Sequence, residues 1–305
     1  MSAAPPKSSR PGDCLARTIT VDGGVSLMAL TATQLVRDAT GLRPTSPTAA
    51  SALGRAMMGS LLMAASKDSG ESVQIQLRGK GPLGTVTAIA DSDLRVRGTV
   101  AHREADLDLR RDGQPDVSKG IGRGILAIVR HHPSWREPYS GFVPMTLRDI
   151  AKDLTRYLME SEQAPSAMGL SVEHYDDGSL LGAAAFLVQA LPGADDAVLA
   201  ELEANVKALP RAAKLLAAEG AGADELLDRL AGDIELRERT RATPTFECTC
   251  DKQRAAGALR MLEDAELRDL IESGEGQEVE CQFCGRAYQL DATDVRTVLA
   301  DAARP

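Results

Sequence analysis

Phe246-Glu247-Cys248-Thr249-Cys250 and Cys281-Gln282-Phe283-Cys284-Gly285 are the stretches on which the reading of this chain turns. Thirty residues separate Cys250 from Cys281. Tetrahedral zinc takes four soft ligands, and two short cysteine knuckles brought together supply them. Gly285, directly after the second pair, is the small residue a knuckle favours where the backbone folds tightly around a metal. Between the pairs, Leu259, Leu262, Leu267, Leu270 and Ile271 mark short helices that end near Gly274. About 60 residues with so few apolar anchors bury little core alone. A structural zinc would add about 10–16 kcal/mol of binding free energy that doubles as folding free energy.

Four such cysteines admit three functions. One is an inert structural clamp. A nucleic-acid-binding zinc ribbon is the second, and local charge opposes it. Residues 244–305 carry thirteen Asp or Glu against seven Lys or Arg, and four thiolates around Zn²⁺ add further negative charge. The third is a redox switch, because metal-bound cysteines are held as thiolates, the form oxidants attack. The residues themselves leave the clamp and the switch both open.

Outward from the cysteines, the 305-residue chain is 43% hydrophobic and 26% charged, ordinary for a folded protein of one full domain and a smaller one. Aromatics are only 3%, so the core must be aliphatic. A formal charge of −9 argues against a nucleic-acid or anionic-membrane partner. No apolar run reaches the length of a membrane span. Met1 to Asp13 is rich in Ala, Pro and Ser, lacks a secretory core and reads as a loose tail. Cytoplasmic residence is expected, where five cysteines point to metal or reactive thiols before a disulfide framework.

Upstream, Thr40 to Asp68 opens on a turn and becomes a helix, with Leu53, Met57, Leu61 and Leu62 at helical spacing. Val73, Ile75 and Leu77 alternate as a half-buried strand does. Thr85 to Ala90, Leu94 to Val100, Ile121 to Val129, Leu170 to Tyr175 and Ala183 to Leu191 also read as strands, and Leu147 to Gln163 as a helix. This mixture indicates an α+β domain. After Pro192-Gly193 the texture changes. Val198, Leu202, Val206 and Leu209 form one apolar stripe, and Leu226, Leu227 and Leu230 another, with Pro210, Gly220 and Gly222 between. Short amphipathic helices of this kind need something to pack against. An ordinary linker and a segment that undocks both fit.

Weaker signals fall away. Gly79-Lys80-Gly81-Pro82-Leu83-Gly84 matches a dinucleotide fingerprint by letter, but the β-branched Thr85 to Ala90 follows it instead of a helix, so a tight hairpin is expected. His131 and His132 read as a solvated loop, Cys14 as a thiol without a partner, and Glu160 and Glu162 as surface or interface groups.

The chain resembles the 33 kDa chaperonin family, redox-regulated bacterial heat-shock holdases, from about Asp13 to Asp294. The resemblance rests on Leu53-Gly54-Arg55, on Gln76 through Gly84, on Tyr157-Leu158-Met159-Glu160-Ser161-Glu162-Gln163, and most specifically on the two cysteine stretches with Tyr288. It implies that one zinc ion is held by Cys248, Cys250, Cys281 and Cys284 in the reduced, inactive protein. It further implies that oxidation forms the disulfides Cys248–Cys250 and Cys281–Cys284 and releases the zinc. The zinc domain and preceding linker then unfold, the chain dimerises, and apolar surface holds unfolding clients without ATP. Leu158 and Asp251 depart from the family pattern. The expectation is thus an α+β architecture: a tail (1–13), a mixed sheet-and-helix core domain (14–193), a metastable helical linker (194–243) and a small C-terminal zinc-binding redox-switch domain (244–305). Its function would be an oxidation-activated holdase and not an enzyme. The competing expectation is a constitutive interaction protein with an inert zinc clamp.

Overall fold

Helix α2 (Pro47–Ala64) explains most of the first half of the chain. Ser46 caps it by accepting from the Ala49 N–H, and Pro47 occupies the first turn, where its missing donor costs nothing. Every residue of α2 except Pro47 and Arg55 is buried. A helix apolar on all sides must be enclosed on all sides.

The structure is a computed structural model describing residues 12–146, 149–214, 222–274 and 276–302. The tail up to residue 11, Leu147 and Gly220 lie outside the described residues. The chain divides into two units, up to residue 246 and from residue 247.

In the first unit two sheets supply the enclosure. The five-stranded sheet is built from β1 (Cys14–Ile19), β2 (Val25–Thr31), β8 (Ser166–His174), β9 (Leu180–Ala190) and β10 (Thr240–Ala242), in the order β10-β1-β2-β9-β8. The six-stranded sheet holds β3 (Ser72–Gly79), β4 (Thr85–Asp91), β5 (Arg95–Val100), β6 (Gly124–His131), β7 (Tyr139–Met145) and β11 (Thr245–Phe246), in the order β11-β5-β4-β3-β6-β7. Leu53, Met57, Leu61 and Leu62 of α2 share one core with Met28 and Leu30, Ala185 and Leu187, and Val73, Ile75 and Leu77. Helices α1 (Thr33–Gly41) and α4 (Ile150–Ser161) close its margins. Asp13 acts as a side-chain cap for α1, its carboxylate accepting from the N–H groups of Gln34 and Leu35 at 3.1 and 2.5 Å.

Strands β3, β4 and β5 alternate between core and outer face, as their sequence predicts. β2 and β9 are buried on both faces and do not alternate. Met28 and Leu187 point to α2, whereas Leu27, Ala29, Phe186 and Val188 point outward into a second core. That core is capped by α5 (Asp196–Ala208) and α6 (Ala223–Ala231), which contribute Leu202, Leu226, Leu227 and Leu230. The apolar stripes of residues 194–243 therefore lie on the outer face of the five-stranded sheet. Thr240 to Phe246 then pass from the edge of one sheet, antiparallel to β1, to the edge of the other, parallel to β5.

One strand expectation is corrected. Ile121 does not open β6; it ends the short helix α3 (Val117–Ile121), capped by Asp116, and Gly122 at φ 73° turns the chain into Gly124. Gly79 and Gly81 have the same cause. The Gly81 N–H donates to the Ile121 carbonyl at 2.8 Å, and a Cβ on Gly79 would stand 1.9 Å from that oxygen. The segment joins β3 to β4 as a hairpin.

In the second unit the antiparallel hairpin of β12 (Gln277–Glu280) and β13 (Ala287–Leu290) packs with α7 (Lys252–Gly257), α8 (Asp264–Ser273) and α9 (Ala292–Ala302). Among the described residues its buried core is Ala256, Leu259, Leu267, Leu290, Val295 and Val298. Among the described residues no helix is long and apolar enough to cross a membrane.

Candidate metal centre

The β12–β13 hairpin presents Cys281 and Cys284 at its tip. The Cys281 N–H donates to the Arg286 carbonyl at 2.9 Å, and the Gly285 N–H returns to the Cys281 carbonyl at 2.8 Å. Gly285 sits at φ 73°, a left-handed conformation that closes the knuckle and that a side chain would strain. The other pair lies on the extended segment before α7. Asp251 caps that helix, its carboxylate accepting from the Arg254 N–H at 2.7 Å. Arg254 reaches back to the Thr249 carbonyl at 2.6 Å, fixing the residue between Cys248 and Cys250.

These two devices bring together all four cysteines named from sequence. Their sulfurs lie within 4.8 Å of one another, and each is half-buried. Two contacts run across the pairs: Cys248 Sγ to Cys281 Sγ is 3.6 Å, and Cys250 Sγ to Cys284 Sγ is 3.4 Å. Sulfurs bound tetrahedrally to one zinc sit about 3.8 Å apart. The donor set and spacing fit a closed four-thiolate site, with no position left for a substrate.

The four thiols differ. Burial pushes Cys248 up, and burial also raises Cys284. Burial opposes ionisation of Cys250 too, but the Tyr288 hydroxyl, donating to its sulfur at 3.1 Å, and the neighbouring thiols outweigh it and bring Cys250 down to about 7. Arg254 and the Tyr288 hydroxyl are the parts that sequence reasoning did not find. Tyr288 stood out only by resemblance, and Asp251 only as a departure from the family pattern.

The remaining candidates are elsewhere. Cys14 opens β1, its N–H donating to Thr31 Oγ1 at 2.9 Å, and burial raises its thiol. His132 is tied to Ser134 Oγ at 2.6 Å and to the Ser69 carbonyl at 3.1 Å. Glu160 pairs with Arg156 on the surface, while Glu162 joins Lys67 at 2.8 Å and Arg130 at 3.7 Å. Leu158 is buried in the main core beside Tyr157.

Comparison with known proteins gives one answer. The family model described as Hsp33 protein matches residues 13–291. A 33 kDa chaperonin of Halalkalibacterium halodurans is 33% identical over 292 residues, covering 95% of this chain and 100% of that relative. One from Lacticaseibacillus casei is 35% identical over 291 residues, covering 94% and 98%. Among solved structures, the 33 kDa chaperonin of Thermotoga maritima superposes with a TM-score of 0.86 at 28% identity, covering 96% of this chain and 99% of that one.

Proposed function

The chain belongs to the Hsp33 family of chaperones, and on that premise we propose that it is a redox-regulated, ATP-independent holdase for unfolding proteins. The observation that carries the proposal is the convergence of Cys248, Cys250, Cys281 and Cys284 within 4.8 Å in a unit whose buried core, among the described residues, is six side chains. Zinc, when bound, would hold the four sulfurs as thiolates and close the 30-residue loop between the pairs.

Oxidation acts on the chain's own sulfurs. One thiolate of a pair attacks peroxide, cleaving its O–O bond to give a sulfenic acid and hydroxide. The second thiolate then displaces the sulfenic oxygen, which leaves as hydroxide and takes up a proton to become water. Each disulfide thus removes two electrons and two ligands. Cys248–Cys250 and Cys281–Cys284 are the pairs proposed, each close in sequence. Without its ligands the second unit keeps only a small core, too little to hold it folded. Residues 194–243 are the proposed metastable linker. Their departure would bare Leu27, Ala29, Phe186 and Val188 for clients. Dimerisation on oxidation, cytoplasmic residence, and the absence of a catalytic turnover, nucleic acid or membrane partner belong to the same proposal.

The test is light scattering from a heat-unfolding client enzyme, with reduced zinc-loaded protein in one sample and peroxide-treated protein in the other. Suppression by the oxidised sample alone supports the switch. Equal behaviour of the two makes the zinc an inert clamp.

A further inference from the structure

Residues 210–213 form the corner at which the segment after α5 meets the first sheet. Ala212 and Ala213 are buried there, and Gly182 of β9 lets the chain come close: a Cβ on Gly182 would stand 3.2 Å from the Ala213 carbonyl oxygen. From this corner Arg211 spans two acids. Its Nε lies 3.2 Å from Glu173 Oε1, and its Nη1 lies 3.4 Å from Asp112 Oδ2. Asp112 is at the surface, but the Glu173 side chain is only 4% exposed. Ser171 Oγ donates to the same Glu173 oxygen at 3.1 Å, and the charge of Arg55 lies nearby.

A buried carboxylate deprived of its cation is costly, whereas one that regains water is not. With the segment docked, Arg211 compensates Glu173. With the segment gone, solvent can. The penalised state is the docked segment without Arg211.

We propose that the Arg211–Glu173 ion pair is the latch that holds residues 194–243 on the core, making Arg211 a positioning residue for the switch. The proposal rests on the undocking reading of that segment. Deleting the cation should therefore release the segment, and neutralising the acid should restore it.

The test is thermolysin cleavage within residues 196–231 of the full-length, reduced, zinc-loaded protein. Arg211→Met should speed cleavage about tenfold, a buried-pair loss discounted for the half-exposed guanidinium. Arg211→Lys, which keeps the charge, should change it less. Adding Glu173→Gln to Arg211→Met should return the rate toward that of the parent protein. A parent-like rate for Arg211→Met overturns the latch, and so does a folded double variant cleaved as fast as Arg211→Met. Should the double variant fail to fold, equal rates for the Met and Lys variants overturn it. Client light scattering with the reduced variants separates the two ideas. Faster cleavage without client protection upholds the latch and counts against undocking as the activating step.

Discussion

The Tyr288 hydroxyl donates to the Cys250 sulfur across 3.1 Å, while the tyrosine ring packs against the small core of the second unit. Tyr288→Phe therefore removes the donor and keeps the ring. A thiolate that loses a hydrogen bond is a stronger nucleophile, and the lost bond is worth about 0.5–1.5 kcal/mol. Zinc release under peroxide, followed with a chromophoric chelator, should accelerate severalfold. An unchanged rate would show that the hydroxyl does not govern sulfur reactivity.

Removal of metal should dismantle the second unit selectively. A chelator applied to the reduced protein, or Cys284→Ser, is expected to erase amide-exchange protection in α7, α8 and α9. Protection of α2 should persist, since its core draws on both sheets. Retention of second-unit protection without metal would mean that its small apolar core suffices to fold it.

His174 should make the first unit sensitive to mild acid. Burial and then the charge of Arg55 lower its pKa to about 4 from 6.5. The unfolded chain thus takes up this proton first. The contribution is complete above pH 6.5 and is lost as pH falls through 4. Partial exposure reduces the expected loss to about 1–2 kcal/mol. Urea midpoints of the parent and His174→Gln proteins across that window measure it. A parallel pH dependence of the two would assign the loss to other groups.

Gly79→Ala tests the loop that matched a nucleotide fingerprint by letter. The new Cβ meets the Ile121 carbonyl, a backbone atom that cannot rotate away. A destabilisation of about 1–3 kcal/mol is expected, read as a lower thermal midpoint, and adenine dinucleotides should not raise the midpoint of either protein. A midpoint increase on adding nucleotide would revive the phosphate-loop reading.

Several features were legible without coordinates. The strands from Val73 to Val100 alternate because one face meets α2 and the other meets solvent. The α2 helix is readable from Leu53, Met57, Leu61 and Leu62. β1 and β2 are not legible in the same way. Val25 to Thr31 has no alternation, because Leu27 and Met28 are both buried, on opposite faces. Ile121 reads as a strand residue because an apolar residue ending a short helix looks locally like one that begins a strand.

By itself the sequence determined the number and spacing of the thiols, the acidity around them and the amphipathic stripes of residues 194–243. These are local properties, since ligand chemistry and helical period are carried by neighbouring residues. Only the tertiary structure decided what the stripes cover, that the two cysteine pairs meet, and that Arg211 reaches Glu173. Each of those depends on residues far apart in the chain. Leu227 reaches the sheet that holds Leu27, and Cys248 comes within 3.6 Å of Cys281. Such pairings follow from how the whole core closes around α2 and how the hairpin folds in the second unit, and no local pattern encodes them.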